Sequence, residues 1–202
     1  MDLPLSDVTP VVLAGGRSTR FGRDKGGAEW RGRRLIDHVL DRVAGCGAAP
    51  VVVLRAEQDS EIRPDVTVVH DDPARPEGPL RGVIRGLAAC RTDWAWIVAC
   101  DQPLVSADLL VALRRAAGPG DLALVPEWEG RLQPLTGLFA VAAGPRLAAC
   151  AAAGQRSLIG GLKTIGFRVF DQDACRGVDP RGAGFLNVNR PKHLDQLEGF
   201  AP

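Results

Sequence analysis

VVLAGGRSTRFGRDKGG, residues 11–27, decides how this chain is read. An apolar run ends in Gly15-Gly16. Arg17, Arg20 and Arg23 follow, and then Asp24-Lys25-Gly26-Gly27. A buried strand that opens into glycine and positive charge lets backbone N–H groups approach a phosphate with no Cβ in the way. Arg20 and Lys25 can neutralise a polyphosphate there. The stretch is neither GxxxxGK[ST] nor GxGxxG, so neither standard phosphate-binding fingerprint accounts for it. Taken alone it reads equally well as a basic surface turn, and the flanking sequence has to separate the two readings.

Outward from this stretch the chain alternates strands and helices. Residues 10–14 read as a buried strand. Residues 34–45 carry Leu35, Ile36, Val39, Leu40 and Val43 on one helical face, with Gly45 as the stop. Strands are expected at 49–55, 66–70 and 94–99, with a helix at 78–90 between the last two. Ser106 caps a helix at 107–118. Strands at 121–126 and 134–141 follow, then helices at 145–154 and 157–165, an extended 167–171, and a helix at 190–199 with Pro191 in its first turn. Neither an internal repeat nor a low-complexity linker is evident. This alternation implies one α/β domain over residues 1–202, with a mostly parallel sheet covered by helices on both faces, three layers in all. Ligands in such sheets bind outside the carboxyl ends of the strands.

The residues just past those strand ends are therefore the candidates. They are the glycine-basic loop, Asp71 and Asp72, Asp101 in CDQP, and Asn187 and Asn189 in NVNRP after a late strand-like segment. Asp101 could hold a hard cation such as Mg²⁺, which takes one or two carboxylates plus substrate phosphates. Each residue is individually consistent with a turn or a cap. Their common edge is what favours nucleotide chemistry.

Composition limits the alternatives. A net charge of +1 argues against a dedicated nucleic-acid or anionic-membrane surface. Five cysteines without a CxxC pair suit reduced, mostly buried thiols in a cytoplasmic protein. His38, His70 and His193 are too scattered to suggest a zinc site. No stretch approaches the roughly 18 apolar residues of a membrane span, and residues 1–10 lack the pattern of a signal peptide.

The motifs resemble those of the molybdenum cofactor guanylyltransferases, the MobA family. LAGGRSTRFGRDKGG is similar to the family's LAGGxSxRMGxDK signature. DDPARPEGPLRGVIRGL, VACDQPLVSADLL, RLQPLTGLF and FLNVNRPKHLDQL resemble further family segments in the same order, over about residues 11–198. The resemblance implies a Rossmann-like nucleotidyltransferase fold. It also implies GMP transfer from GTP to molybdenum-molybdopterin with release of pyrophosphate, dependent on Mg²⁺. By matching position, Leu13, Ala14, Gly15 and Gly16 would contact the nucleotide through main chain. Arg20 and Lys25 would bind phosphates, with Lys25 stabilising the transition state. Asp101 would bind the metal, and Asp71 would lie near the base or ribose. Gly82 would permit close packing, and Arg156, Asn187 and Asn189 would face the acceptor or the metal. Molybdoenzymes, their chaperones or an accessory GTP-binding protein are the further partners the family suggests.

Some residues depart from the family pattern. Phe21 stands for the usual Met. The DQPL run also resembles the molybdopterin cytidylyltransferases. VVVLRAEQ places Leu54 and Arg55 where the family often has an Asn that helps hold the base, and Arg190 replaces Thr in NVNTP. A cytidylyltransferase, a sugar-phosphate nucleotidyltransferase and a non-catalytic nucleotide-binding regulatory domain remain open on sequence.

Overall fold

The structure of the chain, a computed structural model, describes residues 5–15, 28–56, 58, 61–71, 78–190 and 192–200. Strand β1 (Val8–Leu13) organises it. Val8 and Val12 point to one side of the sheet and Val11 to the other, and all three are inaccessible to solvent. β1 lies between β4 (Val51–Leu54) and β6 (Trp94–Ala99), parallel to both, with Val11 opposite Val51 and Ile97. A strand covered on both faces reads as a continuous apolar run, as VVVL and WAWIVA do.

The short strands β2 (Glu29–Trp30) and β3 (Arg33–Arg34) form a separate hairpin. The main sheet continues through β5 (Thr67–His70), β7 (Ala123–Trp128), β8 (Arg131–Leu132), β9 (Leu138–Ala140) and β10 (Arg168–Phe170). Its order is β10-β7-β9-β6-β1-β4-β5, with β8 folded back on β7. Of the strands along this order only β9 runs antiparallel to its neighbours. After β5 the chain crosses to the far side of β1 to form β6. The strand order therefore reverses at β1 and β6, where open α/β sheets bind ligands.

Helices cover both faces. Helices α1 (Leu35–Val43) and α3 (Ala107–Ala116) bury their apolar stripes with Val12, Val52 and Val98. Helices α2 (Pro79–Ala89), α4 (Ala143–Ala152) and α5 (Leu158–Ile165) pack on the opposite face with Val11, Val53 and Ile97. The short α6 (Gln172–Arg176) and the closing α7 (Lys192–Glu198) complete the chain. No helix of the described residues is long and apolar enough to cross a membrane.

The expected elements recur with trimmed ends. Ser106 does cap α3, accepting from the N–H of Asp108 at 3.2 Å. The strand expected at 134–141 is a correction. Pro134–Thr136 is a 3₁₀ turn and only Leu138–Ala140 pairs. Pro134 has no N–H to give a ladder, and Gly137 fits because a Cβ there would come within 3.0 Å of the Leu124 carbonyl. Two hairpins escaped the reading, β2–β3 and β7–β8. Both carry the sequence EWxGR, and both turn on a residue pair with positive φ, Arg31-Gly32 (51° and 70°) and Glu129-Gly130 (49° and 69°). Positive φ at both central positions is the tight hairpin geometry that suits twisted strands. Strands of two residues carry too little alternation to be read from sequence.

Helix α2 packs closely on β1 at two glycines. A Cβ on Gly86 would stand 2.4 Å from Val11 Cγ1, whereas one on Gly82 would stand 3.4 Å from Leu13 Cδ2. Both substitutions gain about 1 kcal/mol of helix propensity, but only the first forces a buried β-branched side chain to move, which costs about 1–3 kcal/mol. Gly86→Ala should therefore lower the urea midpoint, and Gly82→Ala should leave it equal or higher.

Candidate functional site

A cavity of about 480 Å³ opens at the carboxyl ends of β1, β4, β5 and β6. This is within the usual size of small-molecule sites. Leu13 and Gly15 reach it from β1, Arg55 from β4, Asp71 from β5, and Cys100 and Asp101 from β6. Helix α2 closes one side with Gly78, Pro79 and Gly82. Leu135 and the Asn187–Asn189 segment close another. The start of α2 has no side-chain cap: Gly78 precedes it at φ 149°, a conformation open to glycine, and Pro79 occupies its first turn.

Hydrogen bonds among buried groups hold Asp101 in place. Asp101 is 7% exposed and follows Cys100, whose N–H donates to the Leu13 carbonyl at 3.1 Å. Gln102, fully buried behind it, accepts from the N–H of Ala99 at 3.3 Å and donates through Nε2 to Thr136 Oγ1 at 2.8 Å. That second bond fastens the Asp101 turn to the 3₁₀ turn that presents Leu135. The Asp101 carbonyl accepts from the N–H of Val188 at 2.8 Å, which places Asn187 and Asn189 on either side of this contact.

The asparagine segment has further supports. The buried Asp179 carboxylate accepts from the N–H groups of Ala183 (3.0 Å) and Gly184 (2.7 Å), and so shapes the 3₁₀ turn Ala183–Phe185. Here the expectation of a strand before NVNRP is corrected. A glycine-rich run folded around a carboxylate replaces the extended chain, and Asn187 Nδ2 donates back to the Phe185 carbonyl at 3.0 Å. His193 Nδ1 lies 3.1 Å from the Asn189 nitrogen and 3.0 Å from the Asn187 carbonyl. An unprotonated Nδ1 accepts the first contact, and a protonated one donates the second.

Helix α7 is tied to the β2–β3 hairpin. Trp30 Nε1 donates to Glu198 Oε1 and the Arg31 guanidinium donates to Glu198 Oε2, both at 2.6 Å. The hydrogen bonds from Arg31 and then Trp30, helped by the Arg31 charge, hold the Glu198 carboxyl below its ordinary range. Beneath them Trp30, Leu35, Leu104, Val188 and Leu197 form a small core of their own.

Of the residues expected at the site, Leu13, Gly15, Asp71, Gly82, Asp101, Asn187 and Asn189 line this one cavity. Ala14 does not line it. Its side chain is fully buried in the core and its N–H donates to the Val53 carbonyl at 2.9 Å. Arg156 lines a separate hollow of about 140 Å³ with Arg81 and Gln155, next to the first and sharing only Gly78 with it. Gly16, Arg20 and Lys25 lie outside the described residues, as do Asp72 and Pro191. Sequence reasoning missed Gln102, Thr136 and Asp179 as supports. A buried glutamine-threonine pair 34 residues apart leaves no local pattern to read.

A family profile described as the MobA-like NTP transferase domain matches residues 10–165. The molybdenum cofactor guanylyltransferase of Vibrio cholerae is 32% identical over 201 residues, which is 98% of this chain and 94% of that protein. Among solved structures, molybdopterin-guanine dinucleotide biosynthesis protein A of Archaeoglobus fulgidus superposes with a TM-score of 0.79 at 23% identity, covering 95% and 97% of the two chains. The 2-C-methyl-D-erythritol 4-phosphate cytidylyltransferase of Thermus thermophilus superposes with a TM-score of 0.70 at 17% identity over 94% and 97%, a likeness of fold.

The Asp179 contacts give a stability prediction. Asp179→Ala leaves two interior N–H groups without their charged acceptor and should cost on the order of 3 kcal/mol. Asp179→Asn retains an acceptor oxygen and should cost less. Urea unfolding of the two variants measures the difference.

Proposed function

We propose, on the premise that this chain belongs to the family of MobA-like NTP transferase domains, that it transfers GMP from GTP to molybdenum-molybdopterin and releases pyrophosphate. The observation that carries this reading is the shared cavity, in which Gly15, Asp71, Asp101, Asn187 and Asn189 meet at the point where the strand order reverses. Residues 16–27, which follow Gly15 in the sequence, include Arg20 and Lys25.

The chemistry follows from the substrates. A terminal phosphate oxygen of molybdopterin forms a bond to the α-phosphorus of GTP while the bond from that phosphorus to the β-phosphate oxygen breaks. The nucleophile is already anionic, so no side chain has to remove a proton. Catalysis is then positioning and charge stabilisation. Backbone at Leu13 and Gly15, with their neighbours Ala14 and Gly16, would seat the nucleotide. Arg20 and Lys25 would offset phosphate charge, with Lys25 acting most strongly in the transition state. Asn187 and Asn189 would meet the acceptor, with Arg156 at its outer end.

Mg²⁺ fits the donor set. Among the described residues no group of three or more His, Cys, Asp or Glu side chains encloses an ion. A cation held by Asp101 would complete its shell with phosphate oxygens and water, as Mg²⁺ does. When bound it would neutralise charge on the triphosphate. The reaction would take place in the cytoplasm, with molybdoenzymes, their chaperones or an accessory GTP-binding protein as receivers or helpers.

Two variants test the reading. With GTP, Mg²⁺ and molybdopterin on its carrier, Asp101→Asn should fold normally and lose transfer. Lys25→Ala should lose about 3 kcal/mol of transition-state stabilisation, seen in kcat more than in GTP affinity. Product identification with GTP, CTP and ATP offered together checks the donor, and near-wild-type turnover by Asp101→Asn would overturn the metal assignment.

A further inference from the structure

Asn187 and Asn189 line the cavity from a segment whose backbone is gripped on two sides. Between them Val188 is 1% exposed and packs with Trp30, Leu35, Leu104 and Leu197, while its N–H donates to the Asp101 carbonyl at 2.8 Å. From the side of α7 one ring nitrogen meets both peptides that flank Val188. His193 Nδ1 lies 3.1 Å from the Asn189 nitrogen and 3.0 Å from the Asn187 carbonyl oxygen. A carbonyl and the N–H two residues on converge in this way only where the chain turns sharply between them. The Asn189 N–H needs a lone pair, which puts the ring proton on Nε2. His193 is itself held, since its N–H donates to the Arg190 carbonyl at 2.9 Å. At the other end of α7, Leu197 enters the core around Val188 and Glu198 accepts from Trp30.

We propose that His193 is a positioning residue for the acceptor: its Nδ1 sets the bend at Val188 and so fixes how Asn187 and Asn189 stand to each other in the cavity. This rests on the transfer reading of the same cavity, in which the two asparagines meet the acceptor. Side chains two residues apart share a side of an extended chain, and the bend between them decides their separation. Asn187 Nδ2 is committed to the Phe185 carbonyl at 3.0 Å, so that side chain follows its own backbone. Val188 stays pinned to Asp101 whatever stands at position 193. Loss of Nδ1 therefore lets the peptide before Asn189 rotate while its neighbour keeps its place. The nucleotide, seated on the opposite wall in this reading, is not addressed by His193.

His193→Asn and His193→Leu test this, because they match in shape and only the first keeps an acceptor atom where Nδ1 stands. Amide hydrogen exchange followed residue by residue by NMR reads the contact without substrates. In His193→Leu the Asn189 amide should exchange about tenfold faster while the Val188 amide keeps its protection, and His193→Asn should restore Asn189. With GTP, Mg²⁺ and molybdopterin on its carrier, His193→Leu should raise the KM for molybdopterin about five- to tenfold, the scale of one hydrogen bond, and leave the GTP dissociation constant unchanged. His193→Asn should recover most of that loss. A merely structural role would lower kcat through the active fraction and leave KM alone. Should His193→Leu not fold, His193→Ala takes its place in the comparison. The proposal is wrong, and the transfer reading stands, if Asn189 exchange or the acceptor KM is unmoved, if Val188 loses protection together with Asn189, or if His193→Asn behaves as His193→Leu. If the wild type transfers no nucleotide to molybdopterin, the transfer reading falls and takes the proposal with it.

Discussion

The distance between α2 and β1 sets the rest of the molecule. Gly86 leaves no room for even a methyl group over Val11, so the helix rests directly on the central strand. One turn earlier Gly82 faces Leu13 with room for a methyl group, and one turn before that Gly78 and Pro79 stand at the cavity. A side chain inserted between these layers would lift the helix and widen the cavity that Gly15 and Asp101 both line. The depth of the cavity is thus decided partly in the core, at Gly86 and Val11, which do not line it.

On the opposite wall, position comes from polar bonds inside the protein. Gln102 joins the Asp101 turn to Thr136, the Asp101 carbonyl holds Val188, and Asp179 shapes the turn before Asn187. Buried polar groups without partners are expensive, so each of these pairs also penalises any alternative arrangement. The result is a preorganised edge, which is what a reaction driven by positioning needs.

Much of this was legible in the residues. The continuous apolar runs of β1, β4 and β6 and the periodic stripes of α1 and α2 are strong signals, and the strand ends point to Gly15, Asp71 and Asp101. Other expected positions were less legible. Arg156 matches a family position yet opens on a neighbouring hollow. Ala14 sits beneath the cavity because strand alternation turns it inward after Leu13. The hairpins were invisible because two-residue strands have no period. The 134–141 segment was misread because its apolar letters concealed a proline and a glycine that bend the chain.

The antiparallel strand β9 has a consequence for how the molecule is assembled. Because β9 begins at the edge where the parallel strands end, its entry turn delivers Leu135 to the cavity, and the chain then needs α4, α5, β10 and α6 before it returns with Asn187. One wall of the cavity comes from residues between Leu13 and Asp101, and the facing wall from residues between Leu135 and Asn189. The last seal, Trp30 to Glu198, joins positions 168 residues apart. Closing so long a loop is entropically slow and waits for the intervening core. In a chain synthesised from its N-terminus, the first wall therefore matures while the opposing wall is still being made, and the pocket becomes whole only when the final helix docks.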